Sequence, residues 1–129
     1  MKILLVAPLN NFTEQLKKAF VKNNVEIVYL NDREIYILPF FKNNRFLWHF
    51  IRKIRFLKKL NNFVFEKKLL NLCKITNPDL LFVNKGMTIK PDAVLEIKSR
   101  GIKTVNWFLD NILLDSYNQW FLDNAKSYD

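Results

Sequence analysis

Ile3-Leu4-Leu5-Val6-Ala7, closed by Pro8, is the stretch from which the fold can be read. An unbroken apolar run of this length, without polar alternation, fits a strand covered on both faces, as strands of parallel sheets are. Working outward, Phe12, Leu16, Ala19 and Phe20 recur at helical spacing, so residues 12–22 read as a helix ended by Asn23-Asn24. Val25 to Leu30 reads as a second strand. Asn31 to Asn44, with Pro39, reads as a long connection. Two helical stretches follow, 45–60 and 62–76, with Asn61-Asn62 as the break between them. Asn77-Pro78-Asp79 turns the chain into a third buried run, Leu80-Leu81-Phe82-Val83.

The next helix carries end signals. Pro91 suits a first helical turn, Asp92 the positive dipole end, and Lys98 and Arg100 the negative end. Gly101 fits the left-handed position after the last turn. Ile102 to Phe108 reads as a fourth strand and Leu113 to Ala125 as a last helix. Alternating strands and helices predict an α/β fold: one Rossmann-like three-layer domain over 1–129, with a mainly parallel sheet of about four strands and helices on both faces. Ligands of such sheets bind beyond the carboxyl ends of the strands. The loops placed there are Pro8 to Phe12, Asn31 to Glu34, Asn84 to Thr88 and Asp110 to Asp115. Because Lys126-Ser127-Tyr128-Asp129 falls where another strand would begin, the chain reads as part of a longer protein.

Half of the 129 residues are hydrophobic and 15% aromatic, enough for a buried core. Gly86 and Gly101 stand alone, which excludes the glycine-rich dinucleotide and Walker loops. One cysteine and one histidine exclude an internal disulfide, a cysteine zinc site and a histidine-pair metal site, and no metal is expected. The longest apolar runs, such as Ile35 to Phe41, are far below the roughly 18 residues of a membrane span. The N-terminus lacks a cleavage site, so the expected location is cytoplasmic, with peripheral contact at the inner face of the membrane if the basic segment docks there.

The net charge of +9 is concentrated. Residues 42–68 hold nine basic residues and one acid, Glu66, and so carry +8 of it. This segment reads as a basic helical insertion. On a continuous helix Phe46, Leu47, Phe50, Ile51, Ile54 and Leu57 form an apolar arc, with Arg45, Arg52, Lys53, Arg55 and Lys59 assigned opposite. Trp48 and Phe56 interrupt the basic side. Three readings stay open. One is a core-packed helix with a solvated basic face, and another is docking on an anionic membrane. Nucleic-acid binding is the least supported, because no reader motif is present.

Several chemistries fail on the residues present. Pro8-Leu9-Asn10-Asn11 is not a flavodoxin phosphate loop, and Asn10 and Asn84 stand where a phosphoacceptor receiver needs acids. Asp32 occupies the place of a ribose-binding acid, yet without a glycine-rich turn it reads as a turn residue. Cys73 reads as core, and His49 has no evident catalytic partner. Two segments point to a site. Asn84-Lys85-Gly86 follows a buried strand, offering an anion contact and a close backbone approach. Val105-Asn106-Trp107-Phe108-Leu109-Asp110-Asn111 places a carboxylate past a strand end, where it could take a proton from a hydroxyl.

Together with the opening Lys2-Ile3-Leu4-Leu5-Val6, the segments Asn77 to Val83 with Lys85-Gly86, Gly101-Ile102-Lys103-Thr104-Val105, Trp107-Phe108 with Asp110-Asn111 and the closing Tyr128-Asp129 resemble the N-terminal domain of the CgeB-like (spore-maturation protein) glycosyltransferases. These have the GT-B architecture. The resemblance implies two Rossmann-like domains facing a cleft. A C-terminal domain of the same protein would hold most of the nucleotide-sugar site, and this domain would receive the acceptor. No cofactor beyond the donor is implied. Lys85, Gly86, Trp107 and Asp110 become crevice positions. From its place past a strand end, not from the resemblance, Asp110 is the expected catalytic base, and Asn10, Asn84 and Asn111 are expected to line the substrate. The rival expectation is a non-catalytic Rossmann-like binding module that docks through its basic helix.

Overall fold

The computed structural model describes residues 1–41, 44–86, 88–108 and 119–129. Four strands, β1 (Lys2–Val6), β2 (Glu26–Leu30), β3 (Leu80–Asn84) and β4 (Lys103–Trp107), form one parallel sheet in the order β2-β1-β3-β4. The expected fold class is the observed one: an α/β, Rossmann-like three-layer arrangement. Ile3 to Ala7 are completely enclosed, because β1 lies between two neighbours and beneath helices on either face.

The helices are α1 (Asn11–Lys22), α2 (Arg45–Lys53), α3 (Arg55–Thr76), α4 (Pro91–Ser99) and α5 (Gln119–Ala125). Successive strand residues point to opposite faces, and the contacts follow that alternation. Phe82 meets Phe20 of α1 edge to face at 5.9 Å. Its neighbours Leu81 and Val83 join Phe65 and Leu69 of α3 and Val94 and Ile97 of α4 in the main core, which also takes in Tyr128. Within α1 the burial centres on Thr13, with Leu16 and Phe20 half-buried, so Ala19, expected inward, is exposed.

The expected helix boundary at Asn61-Asn62 is wrong. The break lies at Ile54, whose extended backbone (φ −92°, ψ 109°) separates α2 from a continuous α3. Asn61 is buried inside α3, and its side chain serves a different part of the chain. Its Oδ1 accepts the backbone N–H groups of Tyr36 (2.6 Å) and Ile37 (3.3 Å), and its Nδ2 donates to the Glu34 carbonyl (3.1 Å). One side chain thereby satisfies three backbone groups of the 31–44 connection, where sheet partners are lacking. Ile35 is buried beneath it, and Tyr36 packs on Phe65 at 5.3 Å.

Glu66, one helical turn further, acts similarly. Lys90 caps α4 without a side-chain bond of its own. The Glu66 carboxylate instead accepts the Lys90 N–H at 2.9 Å and meets Lys90 Nζ at 3.2 Å, a negative charge at the positive end of α4. Other local expectations hold: Pro91 lies in the first turn of α4, and Gly101 follows the helix at φ +80°.

The expected apolar arc of the basic segment does not form. Among the residues assigned to it, only Ile51 is buried and Leu47 and Leu57 are half-buried, while Phe46, Phe50 and Ile54 are exposed. Trp48, placed on the open basic face, is half-buried. Within α2 the Leu47 and Ile51 edge turns inward and the Phe46 and Phe50 edge outward, and Ile54 breaks the helix before the arc continues. Phe65 and Glu66, inside the 42–68 span, belong to the main body of the fold.

Replacing Asn61 with Ala should leave three backbone groups unpaired. Urea unfolding should show a loss of about 2–3 kcal/mol, and a loss below ~0.5 kcal/mol would show that the connection holds without this anchor.

Candidate functional site

β1 leads by way of α1 to β2 on one side, and β3 lies on its other side, so the loops after β1 and β3 part at the carboxyl rim beside β1. This is the switch point at which open α/β sheets bind ligands.

On the β1 side, Asn10 is the N-cap of α1. Its Oδ1 accepts the Thr13 N–H at 2.8 Å, while the buried Thr13 hydroxyl donates to the Pro8 carbonyl at 2.7 Å. The Oδ1 of Asn10, a residue expected to line the substrate, is therefore used in the cap. On the β3 side, Lys85 (φ +74°) and Gly86 (φ +65°) take left-handed backbone in succession, which turns the chain sharply at the strand end. The Lys85 N–H bonds the Trp107 carbonyl at 3.1 Å. Asn106 Nδ2 reaches the Lys85 carbonyl at 3.5 Å, and Asn124 Nδ2 reaches the carbonyls of Gly86 (3.4 Å) and Ile89 (2.7 Å).

Gly86 is buried. A Cβ on it would stand 3.0 Å from the Tyr128 hydroxyl and 3.1 Å from both Asn106 Nδ2 and Val83 Cγ1. The close approach read from this glycine is thus made by the protein's own Tyr128 and Asn106. Trp107, half-exposed, stacks edge to face on Phe12 (5.4 Å) and Phe82 (5.7 Å) over the α1 face. Asp110 and Asn111 lie outside the described residues.

Six buried side-chain oxygens among the described residues have no hydrogen-bond partner: Asp32 Oδ1, Asn84 Oδ1, Thr88 Oγ1, Asn106 Oδ1, Asn124 Oδ1 and the Tyr128 hydroxyl. Asp32, Asn84, Thr88 and Asn106 follow or end β2, β3 and β4 at the carboxyl rim. Asn124 and Tyr128 reach the same Gly86 turn from the far end of the chain. Folded proteins pair nearly all such atoms, so a group of them near one rim calls for an explanation. Asn84, a predicted site residue, is only 3% exposed.

Asp32 is the member that sequence reasoning set aside. Burial pushes its carboxyl up to about 6, against the pull of the nearby cations Arg33, Lys85 and Arg52. Lys85, just after β3, and Arg52 from α2 therefore both act on the carboxylate that follows β2. Burial likewise raises the hydroxyls of Tyr29, Tyr36 and Tyr128, keeping them protonated. Tyr29 donates to the Ala7 carbonyl at 3.0 Å, and Tyr36 donates to that of Asn31, which ties the β1 and β2 ends of the rim.

The predicted site residues divide accordingly. Asn84, Lys85, Gly86 and Trp107 are brought together at the ends of β3 and β4. Arg52, Lys53, Arg55, Phe56 and Lys59 are exposed on α2 and α3, away from the sheet ends except where Arg52 acts on Asp32. Arg45 opens α2. The rim also includes Asp32, Asn106, Asn124 and Tyr128, which were not among the predicted site residues; Asp32 lies in a turn, as its sequence position suggested. No group of three or more metal-ligating residue types is arranged for an ion among the described residues.

No family model, curated protein or solved structure matches the chain.

An acid whose carboxyl is raised on folding keeps its proton longer in the folded state, so its contribution to stability falls as pH rises from about 4 to about 6. Asp32→Asn removes that cost. The variant should match the parent near pH 4 and exceed it at pH 7.5 by on the order of 2 kcal/mol, read from paired denaturation curves. A variant less stable than the parent at pH 7.5 would contradict the burial of this carboxylate.

Proposed function

We propose that the chain is the N-terminal, acceptor-side domain of a GT-B glycosyltransferase similar to the CgeB-like enzymes. It would take part in moving a sugar from a nucleotide-sugar donor to a hydroxyl acceptor. The observation that carries this reading is the rim of unpartnered buried oxygens at the switch point. A saccharide is dense in hydroxyl donors, and a set of fixed acceptors is the complement it needs.

In this reading Asn84 and Asp32 orient acceptor hydroxyls, and Lys85 meets an anionic group of the acceptor or the donor phosphate. Trp107 offers an apolar wall at the mouth. Asp110, chosen from its sequence position, takes the proton of the attacking hydroxyl. The acceptor oxygen then bonds to the anomeric carbon as that carbon's bond to the donor phosphate oxygen breaks, and the nucleotide leaves with the electron pair. The donor sits mainly in a second domain, as the resemblance implies, with no metal or cofactor called for.

A second reading, a non-catalytic Rossmann-like binding module, is favoured by the exposed aromatic and basic surface of α2 and α3. The two differ in what the rim binds and in what the 129 residues do alone.

Titration calorimetry with a panel of methyl glycosides and oligosaccharides should find binding to the 129-residue protein. Asn84→Ala or Lys85→Ala should weaken it roughly tenfold, the value of one well-placed polar contact in a desolvated site. The same protein should not hydrolyse nucleotide sugars. Donor hydrolysis at an enzyme-like rate by these residues, or no saccharide binding across the panel, would overturn the proposal.

A further inference from the structure

We propose that the surface formed by the 3-10 turn Pro39–Phe41, helix α2 and the first half of α3 docks the protein on an anionic lipid bilayer. Exposed phenylalanines crowd this part of the molecule. Phe40 is 98% exposed, Phe46 84% and Phe56 72%, and Phe41, Phe50 and Phe63 are each at least half open. Large exposed apolar patches beside polar residues commonly mark interaction sites.

Their spacing is ordered. Phe46, Phe50 and Lys53 stand at i, i+4 and i+7 on α2, on one stripe. Phe56, Leu60, Phe63 and Lys67 repeat the pattern on α3, with Lys67 Nζ 5.5 Å from the Phe63 ring centre. Each stripe thus joins an apolar edge to a cation. Buried Ile51 and Asn61 hold the opposite sides of the two helices on the fold, so the stripes are presented outward. The Arg52 guanidinium lies 4.5 Å over the ring of half-buried Trp48, an aromatic and a cation paired as at a headgroup boundary.

Charge selects the kind of surface. Residues 42–68 carry nine basic residues and one acid. That acid, Glu66, is buried and bonded to Lys90, so no carboxylate of the segment opposes the cations at the surface. A bilayer of anionic lipids meets both properties at once, with headgroups for the cations and the acyl boundary for phenylalanine. Ile54 and Leu60, also exposed, can partition into lipid but cannot stack on a nucleobase, which favours lipid over nucleic acid. No helix among the described residues is long and apolar enough to cross a membrane, so the contact lies in the plane of the interface.

The test is cosedimentation of the 129-residue protein with phosphatidylcholine vesicles, with and without phosphatidylglycerol. Binding should require phosphatidylglycerol and fall with added salt. Phe46→Ser with Phe50→Ser should lower the partition coefficient by ~10-fold or more. Lys58→Ser with Lys59→Ser should lower it roughly fivefold for each cation removed. All four side chains are exposed, and circular dichroism with a melting curve identifies any variant that has lost its fold. No binding, or equal binding to neutral vesicles, overturns the proposal. So does retention of full binding by a folded phenylalanine variant, and so does removal of the protein from vesicles by an equimolar single-stranded oligonucleotide, which would make nucleic acid the partner.

Discussion

Everything else in this structure is arranged around the enclosure of one strand. Ile3 to Ala7 bring no polar side chain, and their backbone groups are satisfied only if a strand lies on each edge. β2 and β3 supply those edges in parallel, and parallel strands need long crossovers, which become α1 on one face and α2 with α3 before β3. With β1 central and its two neighbours reached in opposite directions, the chain must part above its carboxyl end. The crevice is a consequence of burying β1.

The connections around that crevice lie outside the sheet and have to be held by side chains. Asn61 and Glu66, on neighbouring turns of α3, do this at two places: one supports the loop after β2, the other the start of α4. Asn124 and the Tyr128 ring close over the Gly86 turn from the far end of the chain. These cross-connections keep the loops in place while leaving several acceptor oxygens at the rim unsatisfied.

The strands and the ends of α4 were legible in the sequence because their causes are local: continuous apolar runs, Pro91 in a first turn, Gly101 after a last one. The break at Ile54 was not, since Ile is an ordinary helix residue and the turn depends on how α2 and α3 pack. Asn61-Asn62 misled for the converse reason. Asparagine is a common breaker, but a buried one with three backbone partners 24 to 27 residues away stabilises a helix position. The amphipathic reading of 45–60 grouped Phe46 and Phe50 with Leu47 and Ile51 in one arc, but α2 turns only the Leu47 and Ile51 edge inward. Asn84, Lys85, Gly86 and Trp107 were placed at the carboxyl rim because they end or follow buried runs, and the structure puts them there. Asn106, Asn124 and Tyr128 meet the Gly86 turn through contacts that only the folded chain creates, and Asp32 lies in the turn after β2, as read from the sequence.

The molecule therefore presents two surfaces of different character, a polar rim at the strand ends and an aromatic, basic flank, with Arg52 acting on both. The central claim is that recognition of a hydroxylated ligand belongs to the rim. Backbone-amide NMR of the 129-residue protein during a saccharide titration tests it most directly. The account predicts that shifts gather at Ala7 to Asn10, Asn31 to Arg33 and Asn84 to Ile89. Shifts confined to the amino ends of the strands, at Lys2, Glu26, Asp79 and Lys103, or to α2, would contradict it.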